Sequence, residues 1–319
     1  MTRGTLCAAL LFIACLAPAH AQYPDKTLRW IVTMPPGGAN DILARPVAQR
    51  LSENIGQQVI VDNRGGAGGM IGAEAASKAP PDGYTMVLLT IAHAIGASLY
   101  SKVNFNLTKD FAPVTLLAAS ASVLVVPPSL PVKSVKDLIV LARARPGQLA
   151  YASSGNGTPP HLAAELFSHM AGVKMTHVPY KGGGPSMVAL LSGEVSLSFA
   201  SMPPAVPQIR AGKLRALAVA SARRAPALPQ LPTINESGVP GYEAEIWYGL
   251  SVPAATPKEI ITRLHSEITK ALKHPDLMQQ LDKAGFQIRA STPAEYAALK
   301  RSEIEKWAKV IKAAGMRAD

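Results

Sequence analysis

A glycine-rich segment at residues 35–45 has the composition of an anion-binding turn. It follows a strand-like run at residues 28–33 and precedes a helical pattern in which Leu43, Val47 and Leu51 recur every four residues. A strand that passes through paired glycines into a helix leaves unpaired backbone N–H groups at the helix N-terminus, where an anion can bind. An ordinary strand-to-helix turn is the commoner meaning of this pattern, so the segment alone leaves both interpretations open.

A second segment repeats this chemistry far along the chain. A short strand at residues 149–152 leads into a polar loop, and a helical pattern through Leu162, Leu166 and Met170 follows. Thr158 is a good N-cap and Pro159 a good first helical residue. Hydroxyl and amide side chains in this loop can also form hydrogen bonds. Two such helix N-termini facing each other would hold one anion, although a plain turn is again the alternative. The loop consists of Ser153, Ser154, Gly155, Asn156, Gly157 and Thr158.

A third glycine-rich turn, at residues 64–72, does not fit a nucleotide-binding loop. A G-x-G-x-x-G motif that starts at Gly66 would need glycine where the chain has Ile71, and no acidic residue stands about twenty positions further on. The chain also lacks the G-x-x-x-x-G-K-[ST] motif of a P-loop. We therefore expect no nucleotide cofactor. Small residues such as Ala67 and Gly68 instead allow the backbone to approach a ligand or a helix closely. Thr90, at the end of a predicted strand, is a further candidate contact.

Other chemistries find little support in the residue patterns. His93 has no carboxylate or second histidine at a metal-ligand spacing, so we expect no metal site and interpret His93 as structural or exposed. Lys181 follows a strand and precedes three glycines, where it either adds a cation to a binding cleft or lies on the surface. An exported hydrolase is a remaining alternative, but there is no G-x-S-x-G motif, and neither Ser153 nor Ser154 has an identifiable base in the sequence.

Composition indicates a globular protein that attracts anions. The chain has 319 residues, 48% of them hydrophobic and 17% charged, which predicts two folded domains rather than disorder. The formal net charge is +11, of which Arg3 contributes one. Such a surplus favours anionic partners. The densest basic cluster, at residues 210–224, has no interleaved aromatic residues, and we expect no nucleic acid partner.

The N-terminus has the features of a secretory signal peptide. A basic start is followed by an apolar run at residues 6–16 and by the A-x-A signal at residues 19–21, which predicts cleavage after about Ala21 and a mature protein outside the cytoplasm. Anchoring as a lipoprotein through Cys15 is less favoured, because residues 12–14 are a poor approach to a lipidated cysteine. Both cysteines, Cys7 and Cys15, lie in this leader, so the mature chain has no thiol chemistry.

Repeated units of strand, glycine turn and helix predict an α/β fold with mostly parallel sheets. The apolar run at residues 114–126 is too long for an ordinary strand and would cross between domains, and residues 245–252 would form a second crossing strand. Amphipathic helices at residues 257–316 would pack back on the first domain. We predict domain 1 at residues 22–122 plus 245–319 and domain 2 at residues 123–244, after the signal peptide at residues 1–21.

Short motifs along the whole mature chain resemble those of the Bug-type periplasmic substrate-binding proteins of tripartite tricarboxylate transporters. Each motif is modest alone, but their order is specific. The motifs are Tyr23-Pro24, Pro36-Gly37-Gly38 with Asp41 and Arg45, VDNR at residues 61–64, GAGG at 66–69, PDGYT at 81–85, KDFAPV at 109–114, GNG at 155–157, HVPYKG at 177–182, and LPT at 231–233 with Glu236 and Gly238.

The resemblance implies a two-domain Venus-flytrap architecture of the type II periplasmic-binding-protein kind, in which the cleft holds a small carboxylate such as a di- or tricarboxylate or an aromatic acid. It implies that the loops at residues 36–41 and 153–158 bind the ligand through backbone groups and water, and that the loop at 66–68 approaches it. Relatives often have an aspartate where this chain reads SFAS at residues 198–201, which weakens the case for an amino-acid ligand. The predicted ligand-binding residues are Pro36, Gly37, Gly38, Asn40, Asp41, Ala67, Gly68, Thr90, Ser153, Ser154, Gly155, Asn156, Gly157 and Thr158.

The patterns predict a non-catalytic receptor that closes over a carboxylate, and the resemblance implies that it delivers this ligand to the membrane permease subunits of a tripartite tricarboxylate transporter. The first alternative is a binding protein that signals to a membrane sensor kinase, and the exported hydrolase is a less favoured one. We expect a monomer that needs no cofactor.

Overall fold

The computed structural model describes residues 23–314, so the predicted signal peptide and both cysteines lie outside the described residues. Strands and helices alternate along most of the chain, and a 3₁₀ turn at Ala67–Gly69 precedes the second helix. The strands are β1 (Leu28–Val32), β2 (Val59–Asn63), β3 (Thr85–Thr90), β4 (Phe111–Val126), β5 (Ala150–Ser153), β6 (Thr176–Pro179), β7 (Leu197–Ser201), β8 (Arg215–Val219), β9 (Glu245–Pro253) and β10 (Phe286–Ile288). The helices are α1 (Ala39–Ile55), α2 (Met70–Ser77), α3 (Ile91–Leu99), α4 (Val135–Ala144), α5 (Pro159–Ala171), α6 (Gly183–Ser192), α7 (Met202–Arg210), α8 (Lys258–Leu272), α9 (Pro275–Lys283) and α10 (Pro293–Ala314).

The strands form a continuous sheet with two parallel groups at its ends. β2, β1 and β3 are parallel neighbours in the first group, and β6, β5 and β7 are parallel neighbours in the second. Within the described chain, every antiparallel pair involves β4 or β9. Parallel neighbours need a crossover connection, and helices provide it here, as the repeated pattern predicted. The carboxyl ends of both parallel groups consequently lead into helix N-termini.

The long strand β4 joins the two halves of the molecule. Residues Phe111 to Ala121 pair with β9 in the first half, and Ser122 to Val126 pair with β7 and β8 in the second. The chain returns just before β9, where the amide of Ala244 donates to the carbonyl of Ala220 at 2.7 Å. The predicted α/β fold with two crossings is confirmed, whereas the domain boundaries stay a prediction.

Each half has its own apolar core. In the first half, Trp30, Leu43 and Trp247 belong to a single buried cluster. In the second half, Leu124 packs on one face of the sheet and Val123 on the other, because successive strand residues point to opposite faces.

The C-terminal helices complete the first half, as predicted. Helix α8 contacts α1, and α10 contacts α3 and β4. No helix within residues 23–314 is long and apolar enough to cross a bilayer.

Candidate functional site

A narrow cavity of about 50 Å³ lies between the two halves. Helices α1, α3, α5, α6 and α7 all begin at its wall, and β9 contributes Ile246 and Tyr248. This is the inner cavity. Its walls are formed by Met34, Gly38, Ala39, Asn40, Thr90, Ser154, Pro159, Pro160, Gly183, Ser186, Met187, Leu190, Ser198, Ala200, Ser201, Pro204, Ile246 and Tyr248.

A wider space of about 770 Å³, the outer cavity, shares Met34 and Ser154 with the inner one. Lys181, considered above as a cation for the cleft, lies on its wall. Four glycine-containing turns contribute to its wall. The other walls are formed by Pro35, Pro36, Asn63, Gly65, Gly66, Ala67, Gly68, Tyr100, Gly155, Asn156, Pro179, Tyr180 and Gly182.

The start of α1 is held rigidly by Asp41. The Oδ2 atom of Asp41 accepts from the amide of Gly37 at 3.1 Å and from Nε of Arg45 at 3.0 Å. Burial opposes ionisation of Asp41, but hydrogen bonds from Arg45 and Gly37 outweigh it and lower the pKa of this carboxyl below its usual value. Asp41 therefore braces the turn as a paired carboxylate, and it does not line either cavity.

Helix α6, rather than α5 alone, faces the start of α1 across the cavity. A methyl group added to Gly183 would lie 3.6 Å from Cα of Gly38, and one added to Gly184 would lie 3.7 Å from the carbonyl oxygen of Pro36. The first helical amides of α6 have no partner within the helix. Helix α5 offers fewer such donors, because its first two residues, Pro159 and Pro160, have no N–H.

The loop between β5 and α5 is stabilised by its own side chains. The carbonyl of Gly155 accepts from Oγ1 of Thr158 at 2.6 Å, and the amide of Gly155 donates to Oγ of Ser153 at 3.1 Å. Oγ of Ser153 also lies 2.6 Å from Nε2 of His177. This serine–histidine pair was not evident in the sequence, and Ser153 is fully buried, so its hydroxyl faces no substrate.

Thr90 and His93 stabilise the start of α3, where Thr90 lines the inner cavity. The Thr90 hydroxyl caps α3, and Nδ1 of the buried His93 accepts from the amide of Thr90 at 2.9 Å. Burial lowers the pKa of His93 to about 4. His93 is therefore a neutral, structural histidine, as the sequence indicated.

Asn40 carries a donor that lacks a protein partner. Its side chain lines the inner cavity and is 9% exposed, and its Nδ2 atom makes no hydrogen bond within the described residues. A buried amide without a partner is costly, so a ligand or water oxygen is expected against it. None of the inner-cavity wall residues has a side chain that is ionised near neutral pH.

The structure divides the predicted site residues into two groups. Five of them line neither cavity and instead form hydrogen bonds that support the loops. These five are Gly37, Asp41, Ser153, Gly157 and Thr158. Direct contact of any of the predicted residues with a ligand stays a prediction. Those that line a cavity are Pro36, Gly38, Asn40, Ala67, Gly68, Thr90, Ser154, Gly155 and Asn156.

Several wall residues were not predicted from the sequence. Ser186 is on α6 and Tyr248 is on β9, and neither belongs to a glycine turn that ends a strand. Ser198 and Ser201 lie in the stretch at residues 198–201, where the resemblance leads one to expect an aspartate that this chain lacks. That missing aspartate is the feature of the sequence that could have pointed to these two serines.

Two α/β halves joined by a long strand, with a cavity between facing helix N-termini, define a solute-binding protein of the hinged type. The model of the tripartite tricarboxylate transporter family receptor matches residues 43–316, and the chain belongs to that family. The resemblance stated from the motifs is thereby confirmed.

Named relatives agree with this assignment. Protein BugT of Bordetella pertussis is 36% identical over 94% of this chain and 93% of its own length. Among solved structures, Rpa4515 of R. palustris with adipate is 40% identical, with a TM-score of 0.90, and the match covers 92% of this chain and 99% of that chain. MatC from Rhodopseudomonas palustris with bound malate is 29% identical, with a TM-score of 0.86, over 91% of this chain and 100% of that one.

Proposed function

We propose that this protein is an extracytoplasmic receptor that encloses a small carboxylate in the inner cavity and delivers it to the permease of a tripartite tricarboxylate transporter. The observation that carries the proposal is the apposition of the α1 and α6 N-termini, with Gly38 and Gly183 in contact range, at a cavity without ionised side chains. Helix N-termini present N–H donors and a positive partial charge, which favour an anion over a neutral or cationic ligand.

The cavity walls narrow the class of ligand. The free donor on Asn40 needs an acceptor oxygen, which a carboxylate, hydroxyl or carbonyl group supplies. An ammonium group would find no carboxylate among the inner wall residues. We therefore assign a carboxylate without an amino group, and the adipate and malate bound by related receptors are suitable test compounds.

Thermal unfolding of the purified protein with adipate, malate, adipamide or cadaverine tests this assignment. Adipamide replaces both carboxylates by neutral amides, and cadaverine supplies two cations on a similar chain. We expect at least one dicarboxylate to raise the melting temperature progressively with concentration, as a ligand specific to the folded state must. Stabilisation by cadaverine or adipamide alone would contradict the carboxylate assignment.

Delivery to a permease is a separate step and needs its own test. In cells that lack the receptor gene, uptake of the ligand found by thermal unfolding should fall to the background rate and recover when the gene is restored. Unchanged uptake together with loss of a transcriptional response to the ligand would instead support the sensor role.

A further inference from the structure

A pair of stacked imidazole rings lies directly behind the loop at residues 153–158. The rings of His161 on α5 and His177 on β6 are 4.0 Å apart, with an angle of 12° between their planes. The ring of Tyr151 on β5 stacks on His177 at 4.9 Å. Neither imidazole belongs to the walls of the inner or outer cavity, so the pair has no place in the ligand site as described above.

His161 is bonded to the loop in a way that determines its protonation. The amide of Gly157 donates to Nδ1 of His161 at 3.1 Å. Because a backbone N–H can only donate, Nδ1 must carry no proton, and the proton of the neutral ring is on Nε2. Gly157 has a φ of +70°, a conformation that glycine adopts readily and that needs a specific partner to be held in one geometry.

The second imidazole contacts the same loop but tolerates a proton. Nε2 of His177 lies 2.6 Å from Oγ of Ser153, and the Ser153 hydroxyl can also donate to the carbonyl of Gly155 at 3.1 Å. If Nε2 of His177 gains a proton, the hydroxyl turns to Gly155 and accepts from the ring. The Gly157 amide, in contrast, can only donate, so a proton on Nδ1 of His161 would break its hydrogen bond. His161 is therefore the member of the pair that is sensitive to protonation.

The surroundings keep both rings neutral. Burial lowers the pKa of His161 to about 4, and burial followed by the charge of His161 lowers the pKa of His177 to about 4. Of the other titratable groups in the described chain, Tyr151 on β5 and Glu165 on α5 face the pair, and the Tyr151 hydroxyl donates to Glu165. Glu165 alone favours a charged ring, and burial outweighs it.

We propose that His161 is a positioning residue for ligand binding. Its neutral, Nε2-protonated form holds Gly157, and with it the cavity residues Ser154, Gly155 and Asn156, in the conformation that encloses the carboxylate. A proton on Nδ1 removes the acceptor and frees the loop, which weakens ligand binding in acid. The proposal rests on the receptor function proposed above, because it assigns His161 to the same site.

Three variants separate a hydrogen-bonding role from simple packing. His161→Asn places an amide oxygen near the position of Nδ1, so it keeps the acceptor but does not titrate. His161→Leu removes the acceptor. His169→Asn is the matched control, because His169 is exposed on the same helix, near its C-terminal end.

The first measurement needs no ligand. Hydrogen exchange of the Gly157 amide, followed by NMR at neutral pH, should become about tenfold faster in His161→Leu and stay near the wild-type rate in His161→Asn, as expected for the loss of one partly buried hydrogen bond. Equal exchange in all proteins would show that the bond does not hold the loop and would overturn the proposal.

The second measurement follows the affinity for adipate, or for malate if adipate does not bind, by titration calorimetry. At pH 7 we expect about tenfold weaker binding by His161→Leu and wild-type affinity in His161→Asn. Protonation of the ligand itself affects both proteins equally, so it cancels in the ratio of the wild-type dissociation constant to that of His161→Asn. We expect this ratio to rise as the pH falls from 7 towards 4. The corresponding ratio for His169→Asn should stay constant.

The outcomes distinguish this proposal from the function on which it depends. If wild-type protein binds neither dicarboxylate, the receptor assignment to this class fails, while the exchange measurement still tests the bond. If the ligand binds but His161→Asn is as impaired as His161→Leu, or the ratio is independent of pH, the positioning role is wrong. Should His161→Leu fail to fold, the pH dependence of the His161→Asn ratio still decides the question.

Discussion

At the scale of single residues, glycines at the cleft differ in what a side chain would meet. A methyl group on Gly38 would find its nearest neighbours at 3.9 Å and 4.0 Å, which is ordinary contact, whereas one on Gly157 would lie 2.5 Å from Cδ2 of Leu99 in the other half. The sequence placed both glycines in equivalent turns. Only the position of Leu99 shows that Gly157 is the less tolerant of the two.

We therefore expect Gly157→Ala to reduce ligand affinity strongly, since it combines a strained φ of +70° with a clash across the cleft. Gly147→Ala is the matched control, because Gly147 has a φ of +74° but open space around it. Both variants should lose roughly 1–2 kcal/mol of unfolding free energy from the left-handed conformation. Denaturant unfolding and calorimetric titration would check this, and equal affinities in the two variants would contradict it.

At the scale of elements, Lys300 fastens α10 to the beginning of β4. Its buried Nζ donates to the carbonyls of Phe111 at 3.1 Å and Leu107 at 3.3 Å. Burial first, and then the charge of Arg301, lowers the pKa of Lys300 to about 8. A charged amine is thus held by carbonyl dipoles at the contact between helix and strand.

This pairing predicts an unusual alkaline dependence of stability. Between pH 8 and about pH 10 the unfolded chain keeps the proton that the folded Lys300 has released. Stability should therefore rise with pH in this range, on the order of 1 kcal/mol per pH unit. Denaturant midpoints of wild-type protein should increase relative to those of Lys300→Met from pH 7.5 to 9.5.

The exposed Lys312 on the same helix supplies the control for this comparison. Lys312→Met should show the wild-type pH dependence, because the amine of Lys312 is exposed to water in the folded chain as well as in the unfolded one. Parallel pH profiles for wild type and Lys300→Met would show that Lys300 does not titrate as described.

At the scale of the whole molecule, the two halves meet at the mouth of the cleft. The Tyr100 hydroxyl donates to the carbonyl of Asn156 at 3.0 Å, and a methyl group on Gly68 would lie 3.1 Å from the same oxygen. These contacts bring Tyr100 and Gly68 of the first half against Asn156 of the second, which lies more than fifty residues further along the chain. They are available only when the halves are closed, which is the geometry expected of a hinged receptor.

A saturating dicarboxylate should shift the protein towards this closed form. We expect the radius of gyration from small-angle X-ray scattering to decrease on ligand addition, because a ligand contacted from both halves binds the closed state more tightly. Gly157→Ala should show a smaller decrease at the same ligand concentration, and Gly147→Ala the full one. An unchanged radius in protein that calorimetry shows to be saturated would argue against hinge closure.

Much of this architecture was predictable because its signals are local in sequence. Glycine turns after strands, followed by apolar residues at helical spacing, located the starts of α1 and α5. The apolar run at residues 114–126 predicted the strand that joins the halves, although β4 begins slightly earlier, at Phe111. In each of these cases the local conformation of the chain is determined by a few neighbouring residues.

What only the tertiary structure decided is how distant segments face one another. The sequence by itself determined the chain's α/β pattern, its glycine turns at helix N-termini and its membership of a recognisable group of receptors. It did not show that α6 opposes α1 at Gly38, or that His161 accepts from Gly157 beside His177. Those relations depend on the relative placement of strands in the sheet, which no short stretch of residues encodes.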